Sequence, residues 1–446
     1  MSYNNTNSNK PFERASKTAH THIIHDPDVQ SFISSCHIPL FADDIDSDDL
    51  CLGMLNESVD NPIKYIFAID GGYSDVIVRE QFPSATFAFF QFGALCFTYK
   101  DLIELENKAF IDPTDMSKLQ RIQRFKLPIP TKGISLKTES DLVSSVRKSI
   151  YDFFLRQPEH GGFISALAWL VFEKYNSAST PQSWHLASCP VCGDGVDINQ
   201  NMLDKDFKFK CPNCDGILYL TDIFRLHEAM DNELGAGGIL GYLTTTIEQV
   251  IIVYLIKQML SIKSDLLSET LFIKDGPLAF FGQTANIHKP MRKLICYLQK
   301  HHNVYLVGLE KSGAFVEHAA QVSSKLFNNQ YHILGNKYIY KYITPGKGKI
   351  NEPYSKTSYY GHKVIFKSND DNIYVATIPI GQELKLEPQI HDLKNLDLIL
   401  NNVAALKCDL YSNSLIPVVL ANKLVSLAAH PSSELLKAFA QDSLNK

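Results

Sequence analysis

The chain has 446 residues, of which 45% are hydrophobic, 20% charged and 11% aromatic. That is the composition of a folded protein of two or three structural units, and it excludes disorder driven by low hydrophobicity. Its 43 basic and 48 acidic residues leave a formal charge of −5, so there is no global surplus of Lys and Arg of the kind that neutralises phosphates. Nine cysteines, an odd number, follow an opening MSYNNTNSNK without the basic start and apolar core of a secretory signal. Both features argue against a disulfide framework and for a cytoplasmic protein. The longest uncharged apolar stretch, Ser84 to Tyr99, is shorter than the roughly 20 residues of a membrane-spanning helix, so no membrane association is expected.

In chain order, residues 1–25 are polar and Asn-rich and read as a flexible tail. KYIFAIDGG (Lys64 to Gly72) reads as a buried strand meeting a turn, and Ser84 to Tyr99 as a second strand paired antiparallel to it. Leu142, Val146, Ile150, Phe153 and Phe154 recur at helical spacing and predict an amphipathic helix over 140–155, with another over 163–175. Residues 181–220 gather Cys, Gly and Pro and read as a small insert. Leu243 to Leu260 is a strongly apolar helix. Leu271 to Gly282 is a strand that ends in Asp-Gly, Lys289 to Lys300 a helix and Asn303 to Glu310 a strand, together one βαβ unit with parallel pairing. After a Gly-, Lys- and Tyr-rich loop over 340–360 come strands at 362–367 and 372–378, and a helical tail over 416–440.

Two motifs carry chemistry. Cys189-x-x-Cys192 and Cys211-x-x-Cys214, 18 residues apart, place paired thiolates on two tight turns and supply all four ligands of a closed structural Zn2+ site. The other five cysteines, Cys36, Cys51, Cys96, Cys296 and Cys408, read as buried free thiols. Among the acids, Asp70 and Asp275 each end an apolar strand before a glycine (FAIDGG, FIKDGP), and Glu248 sits in the apolar helix TTTIEQVIIVYLIKQML. A carboxylate fixed at such a place needs a partner, often a cation. Either each aspartate serves its turn, or the three converge on Mg2+ or Mn2+ for two-metal hydrolysis of a phosphodiester.

Taken in order, FAIDGGYSDV, the four-cysteine insert, LTDIFRLHE, the glutamate helix, FIKDGPLAFFG and GLEKSGAFVEH resemble the blocks of the NurA nuclease family over about Lys64 to His318. The resemblance implies a mixed α/β fold, an RNase H-like and PIWI-like nuclease core with a zinc-ribbon-like insert and helical additions. The core would be formed by residues 26–180 and 221–446, interrupted by the insert at 181–220. It further implies Mn2+ or Mg2+ on Asp70, Glu248 and Asp275, a homodimer acting on DNA, and a HerA-like hexameric ATPase as partner. The chain itself has no G-x-x-x-x-G-K-[ST] loop to power translocation.

The sequence departs from the family where a C-terminal histidine is usual: IPVVLANKLVSLA has Asn422, whose amide cannot act as a titrating acid or base. Either His362 or His430 substitutes, or the protein manages without a histidine, with Asn422 a candidate to bind an oxygen or a metal water through its amide. Lys311 in GLEKSG is either a phosphate contact or a strand-end surface lysine. Arg225 and His227 either contact DNA or hold the insert against the core. The competing reading is a non-catalytic zinc-ribbon adaptor that binds nucleic acid, and a third is an RNA-directed nuclease.

Overall fold

The structure, a computed structural model, describes residues 19–38, 40–79, 81, 84–106, 121–176, 183–345, 351–381, 383–408, 411, 413–427 and 432–444. Its framework is a mixed sheet. β1 (Leu52–Met54), β2 (Tyr65–Arg79), β3 (Ala85–Thr98) and β4 (Arg121–Lys132) precede two small hairpins, β5 (Ser183–Leu186) with β6 (Val196–Asn199) and β7 (Lys208–Lys210) with β8 (Ile217–Tyr219). The sheet resumes with β9 (Thr270–Asp275), β10 (Tyr305–Glu310), β11 (Gln330–Ile333), β12 (Gly361–Lys367) and β13 (Ile373–Pro379). Across the sheet the order is β1-β11-β12-β13-β10-β9-β2-β3-β4. β2, β3 and β4 form an antiparallel meander, β9 and β10 lie parallel to β2, and β13 runs antiparallel to β10. Pro128 and Pro130 sit in β4 at the sheet edge, where a missing N–H donor is tolerated.

The helices are α1 (Ala19–Ile24), α2 (Pro27–Ser34), α3 (Tyr99–Glu106), α4 (Leu142–Arg156), α5 (Gly162–Val171), α6 (Leu240–Ile262), α7 (His288–His301), α8 (Ala314–Val322), α9 (Leu396–Ala405), α10 (Ile416–Val425) and α11 (Ser432–Leu444). The Asp141 carboxylate accepts from the Ser144 N–H at 2.7 Å and starts α4, whose Leu142, Val146, Ile150, Phe153 and Phe154 are buried. α4 to α7 cover one face of the sheet in a core that holds Ile69, Phe90, Phe92, Phe125 and Phe272. α9 and α10 cover the other, over Ala68, Leu271, Ile273 and Val307. Alternation along each strand thus feeds two cores. α6 is long and apolar enough to cross a membrane, yet 72% of its most apolar stretch is buried inside the protein.

FAIDGG departs from the expected strand end. β2 continues through it to Arg79, so Asp70 lies mid-strand, opposite Gly93. The glycines serve packing and not a turn. A Cβ on Gly71 would lie 2.7 Å from the Phe92 ring and 3.0 Å from Thr244 of α6. One on Gly72 would lie 2.8 Å from the Val425 carbonyl oxygen at the end of α10. Two helices therefore approach β2 from opposite faces just beside Asp70.

The expected pair of 163–175 and the single tail helix are refined: α5 stops at Val171, and the tail comprises α10 and α11. Of the first 25 residues, those before 19 lie outside the described residues, as does His430, and α1 begins at Ala19. Of the five remaining cysteines only Cys408 is buried. Cys36 is exposed and Cys51, Cys96 and Cys296 are half-buried, Cys51 against the edge of one core, Cys96 within β3 and Cys296 within α7.

Candidate acidic centre and four-cysteine site

The four sulfurs at Cys189, Cys192, Cys211 and Cys214 all lie within 4.8 Å of one another, with Cys189 to Cys214 at 4.0 Å and Cys192 to Cys211 at 3.9 Å. Tetrahedral Zn–S bonds of about 2.3 Å require S···S edges of about 3.8 Å, so the cluster could hold zinc. Each knuckle caps one hairpin. The Cys189 N–H donates to the Asp194 carbonyl at 2.7 Å between β5 and β6, and the Cys211 N–H to the Gly216 carbonyl at 2.9 Å between β7 and β8. Gly193 and Asp215 take positive φ, 83° and 56°, to close these turns.

The insert is fastened to α4. The Arg147 guanidinium grips Asp222 through two bonds of 2.8 Å, and Asp222 also accepts from the Tyr219 N–H at 2.8 Å. Tyr219 stacks on Tyr151 at 4.3 Å between centroids. His227, half-buried and with its imidazolium disfavoured by desolvation, bonds through Nε2 to the carbonyl of Ser188, next to the first cysteine. Of the two alternatives read from the sequence, His227 thus contacts the insert. Arg225 pairs with Glu228 at 2.6 Å.

The second site lies where β2, β9 and β10 run side by side. Ile69 pairs with Lys274 and Leu309 with Asp275, so Asp70 and Asp275 are level on adjacent parallel strands, with Leu309 next in line on β10; Glu310, one residue on, turns to the other face and pairs with Lys363. Asp70 is 5% exposed. Its Oδ1 accepts from the Gly71 N–H at 2.8 Å, and its buried Oδ2 has no hydrogen-bond partner. Burial, reinforced by the charges of Asp275 and Glu248 and opposed by Lys311, pushes its pKa up to about 7. The half-buried Asp275 carboxylate accepts from Lys311 Nζ at 2.7 Å. Glu248 on α6 is buried, with its protonated form favoured by that burial, against the pull of Lys274, whose Nζ lies 2.9 Å from Oε2.

Four of the residues singled out from the sequence, Asp70, Glu248, Asp275 and Lys311, therefore share one electrostatic neighbourhood. Among the described residues, however, the carboxylate oxygens do not form a group within 4.8 Å, as the cysteines do. Asn422 is exposed on α10, one turn before the Val425 that abuts Gly72. His362 is buried at the start of β12, accepts from the Lys385 N–H at 3.1 Å through Nε2, and is held neutral by burial, its pKa near 4. It lines a separate cavity with Cys296, Gln299 and Lys385, so it does not join the acidic centre. Sequence reasoning missed the buried Lys274 and the pair formed by Lys363 and Glu310. The signal was a lysine inside an apolar strand, FIKDG, where no surface lysine belongs.

The residues present fit a hard divalent cation: an orphaned buried carboxylate oxygen faces a site crowded with negative charge and furnished with oxygen donors. No protein-family model matches the chain, and no curated protein matches it by sequence. Among solved structures it is similar to a crystal structure of NurA, at 10% identity over 87% of this chain and 90% of that one, with a TM-score of 0.30. A superposition at that score carries no argument about fold or activity.

Two outcomes follow. Wild-type protein should carry one zinc per chain by elemental analysis, and Cys211→Ser should lose it together with a large part of the thermal stability; unchanged stability without zinc would contradict a structural site. Asp70 has a pKa above its unfolded value of 3.8, so the native state binds more protons than the unfolded one between about pH 4 and 7, and its stability falls as pH rises through that window. In protein without added Mg2+ or Mn2+, Asp70→Asn should therefore gain about 2–4 kcal/mol on wild type from pH 4 to pH 8 in urea unfolding. Parallel curves for the two proteins would refute the assignment.

Proposed function

We propose that the chain is a metal-dependent DNA nuclease that hydrolyses phosphodiester bonds, with a catalytic centre built on Asp70 and Asp275. The observation that carries this reading is the buried, partnerless Oδ2 of Asp70 beside Asp275 on adjacent parallel strands. A mixed sheet flanked by helices, with acids brought together where parallel strands meet, is what an RNase H-like core requires. The block order of the sequence supports membership of the NurA family, and with it a homodimer in the cytoplasm that receives DNA from a HerA-like hexameric ATPase, in repair or in defence against phage.

In this reading Asp70 and Asp275 hold Mn2+ or Mg2+, and Glu248 adds its charge from behind β2. A cation bound there would lower the pKa of an attacking water and offset charge on the leaving oxygen. Asp70 must lose its proton to serve as a ligand. Lys311, 30% exposed in its side chain, can leave Asp275 for a phosphate oxygen of the substrate, a point-charge contact. Asn422, on the exposed side of α10 near Gly72, is positioned to hydrogen-bond a water or the DNA backbone without titrating. The chain's −5 charge makes affinity for DNA weak per protomer, so delivery by the ATPase sets the working rate.

Purified protein with Mn2+ should degrade linear DNA in preference to matched RNA. Asp70→Ala and Asp275→Ala should each lower the rate by more than about 100-fold while zinc content and circular dichroism stay at wild-type values. Cleavage at the wild-type rate in both variants would refute the proposal, and RNA cleaved in place of DNA would reassign the substrate.

A further inference from the structure

The geometry points to a one-cation centre in which Lys274 permanently fills the place of a second divalent ion and Glu248 anchors that lysine instead of binding metal. This rests on the reading of Asp70 and Asp275 as cation ligands.

Three observations carry it. First, alternation along β9 separates the groups: Lys274 shares the α6 face with Phe272, whereas Asp275 lies with Ile273 on the face of Ala68 and Asp70. Glu248 therefore has Lys274 as its charged partner, while its own charge still acts on Asp70 and Asp275. Second, the ammonium bridges the two sides. Its Nζ contacts Glu248 Oε2 at 2.9 Å and donates to the backbone carbonyl of Asp275 at 2.5 Å, so a fixed positive charge already lies between Glu248 and β9. With 2% of its side chain exposed, it has no route by which to yield to an incoming ion. Removing one partner of a buried pair leaves the other charge uncompensated, which is strongly destabilising.

Third, the three carboxylates against Lys274 and Lys311 leave one negative charge, so a single divalent ion already brings a surplus positive charge that a substrate phosphate would offset. Lys311, the exposed member of the group, then remains for the substrate phosphate. Two divalent ions would leave the buried Lys274 beside a larger excess of positive charge.

The test is a Mn2+ titration of zinc-loaded protein by calorimetry, read together with electron paramagnetic resonance. Wild type should bind one Mn2+ per chain beyond the zinc, with an uncoupled six-line spectrum. The paired variant Glu248→Gln/Lys274→Met, which removes both charges together and so avoids a lone buried charge, should still bind one Mn2+ with affinity changed by less than about tenfold. Asp275→Asn should lose it. Two exchange-coupled Mn2+ ions in wild type, or loss of Mn2+ from the paired variant, would overturn the one-cation centre and leave the nuclease reading standing. Absence of Mn2+ binding by wild type would overturn both.

Discussion

Negative charge buried at the meeting of β2 and β9 is the constraint on which the candidate centre depends. A carboxylate removed from water is costly unless fixed positive charge or hydrogen bonds replace its hydration. Here the replacement is partial. Glu248 has Lys274 and Asp275 has Lys311, but Asp70 has a single backbone N–H for one oxygen and nothing for the other. The sheet sets this imbalance, because the register of the parallel strands fixes which acids become neighbours, and the two glycines after Asp70 let α6 and α10 close over it. A protein that only needed to fold would have gained stability from an asparagine at position 70. An acid at that place is what the proposed cation site requires.

The four-cysteine insert solves a different problem. Residues 183–219 contain four short strands, and the cysteine cluster joins their two hairpins. The insert is rigidly placed by buried contacts, with Arg147 clamping Asp222 and Tyr151 stacked on Tyr219, and His227 reaching the backbone just before Cys189. Its exposed knuckle residues, Val191 and Ile217, face outward. The cysteine cluster of the insert and the acidic centre at the sheet therefore differ in chemistry: four soft sulfur donors in one, hard oxygen donors in the other.

Much of this was legible in the sequence wherever spacing maps directly onto geometry. The CxxC knuckles, the helix α4 with its periodic apolar face, and the β9–α7–β10 unit all emerged at close to their expected bounds, because local period and turn chemistry determine them. Asp70 and Asp275 were identified for the right reason in one case and the wrong one in the other. Asp275 does end its strand, but Asp70 lies within β2, since a glycine pair also serves close helix approach and sequence alone does not separate that use from a turn. Short strands such as β1 and β11 were not visible, as three or four residues carry too little periodicity. Lys274 and Lys363 were missed because a buried lysine is defined by its partner, here Glu248 and Glu310, which lie far away along the chain. The placement of His362 in another cavity likewise depends on long-range pairing of β12 with β13.

The account stands on whether a divalent cation sits between Asp70 and Asp275. The most direct measurement is anomalous X-ray scattering from crystals of the zinc-loaded protein soaked in Mn2+. The account predicts one manganese peak in contact with Asp70 Oδ2 and the Asp275 carboxylate, with Lys274 still paired to Glu248, distinct from a zinc peak among the four cysteine sulfurs. Manganese bound elsewhere, or no peak at that site at saturating Mn2+, would contradict it.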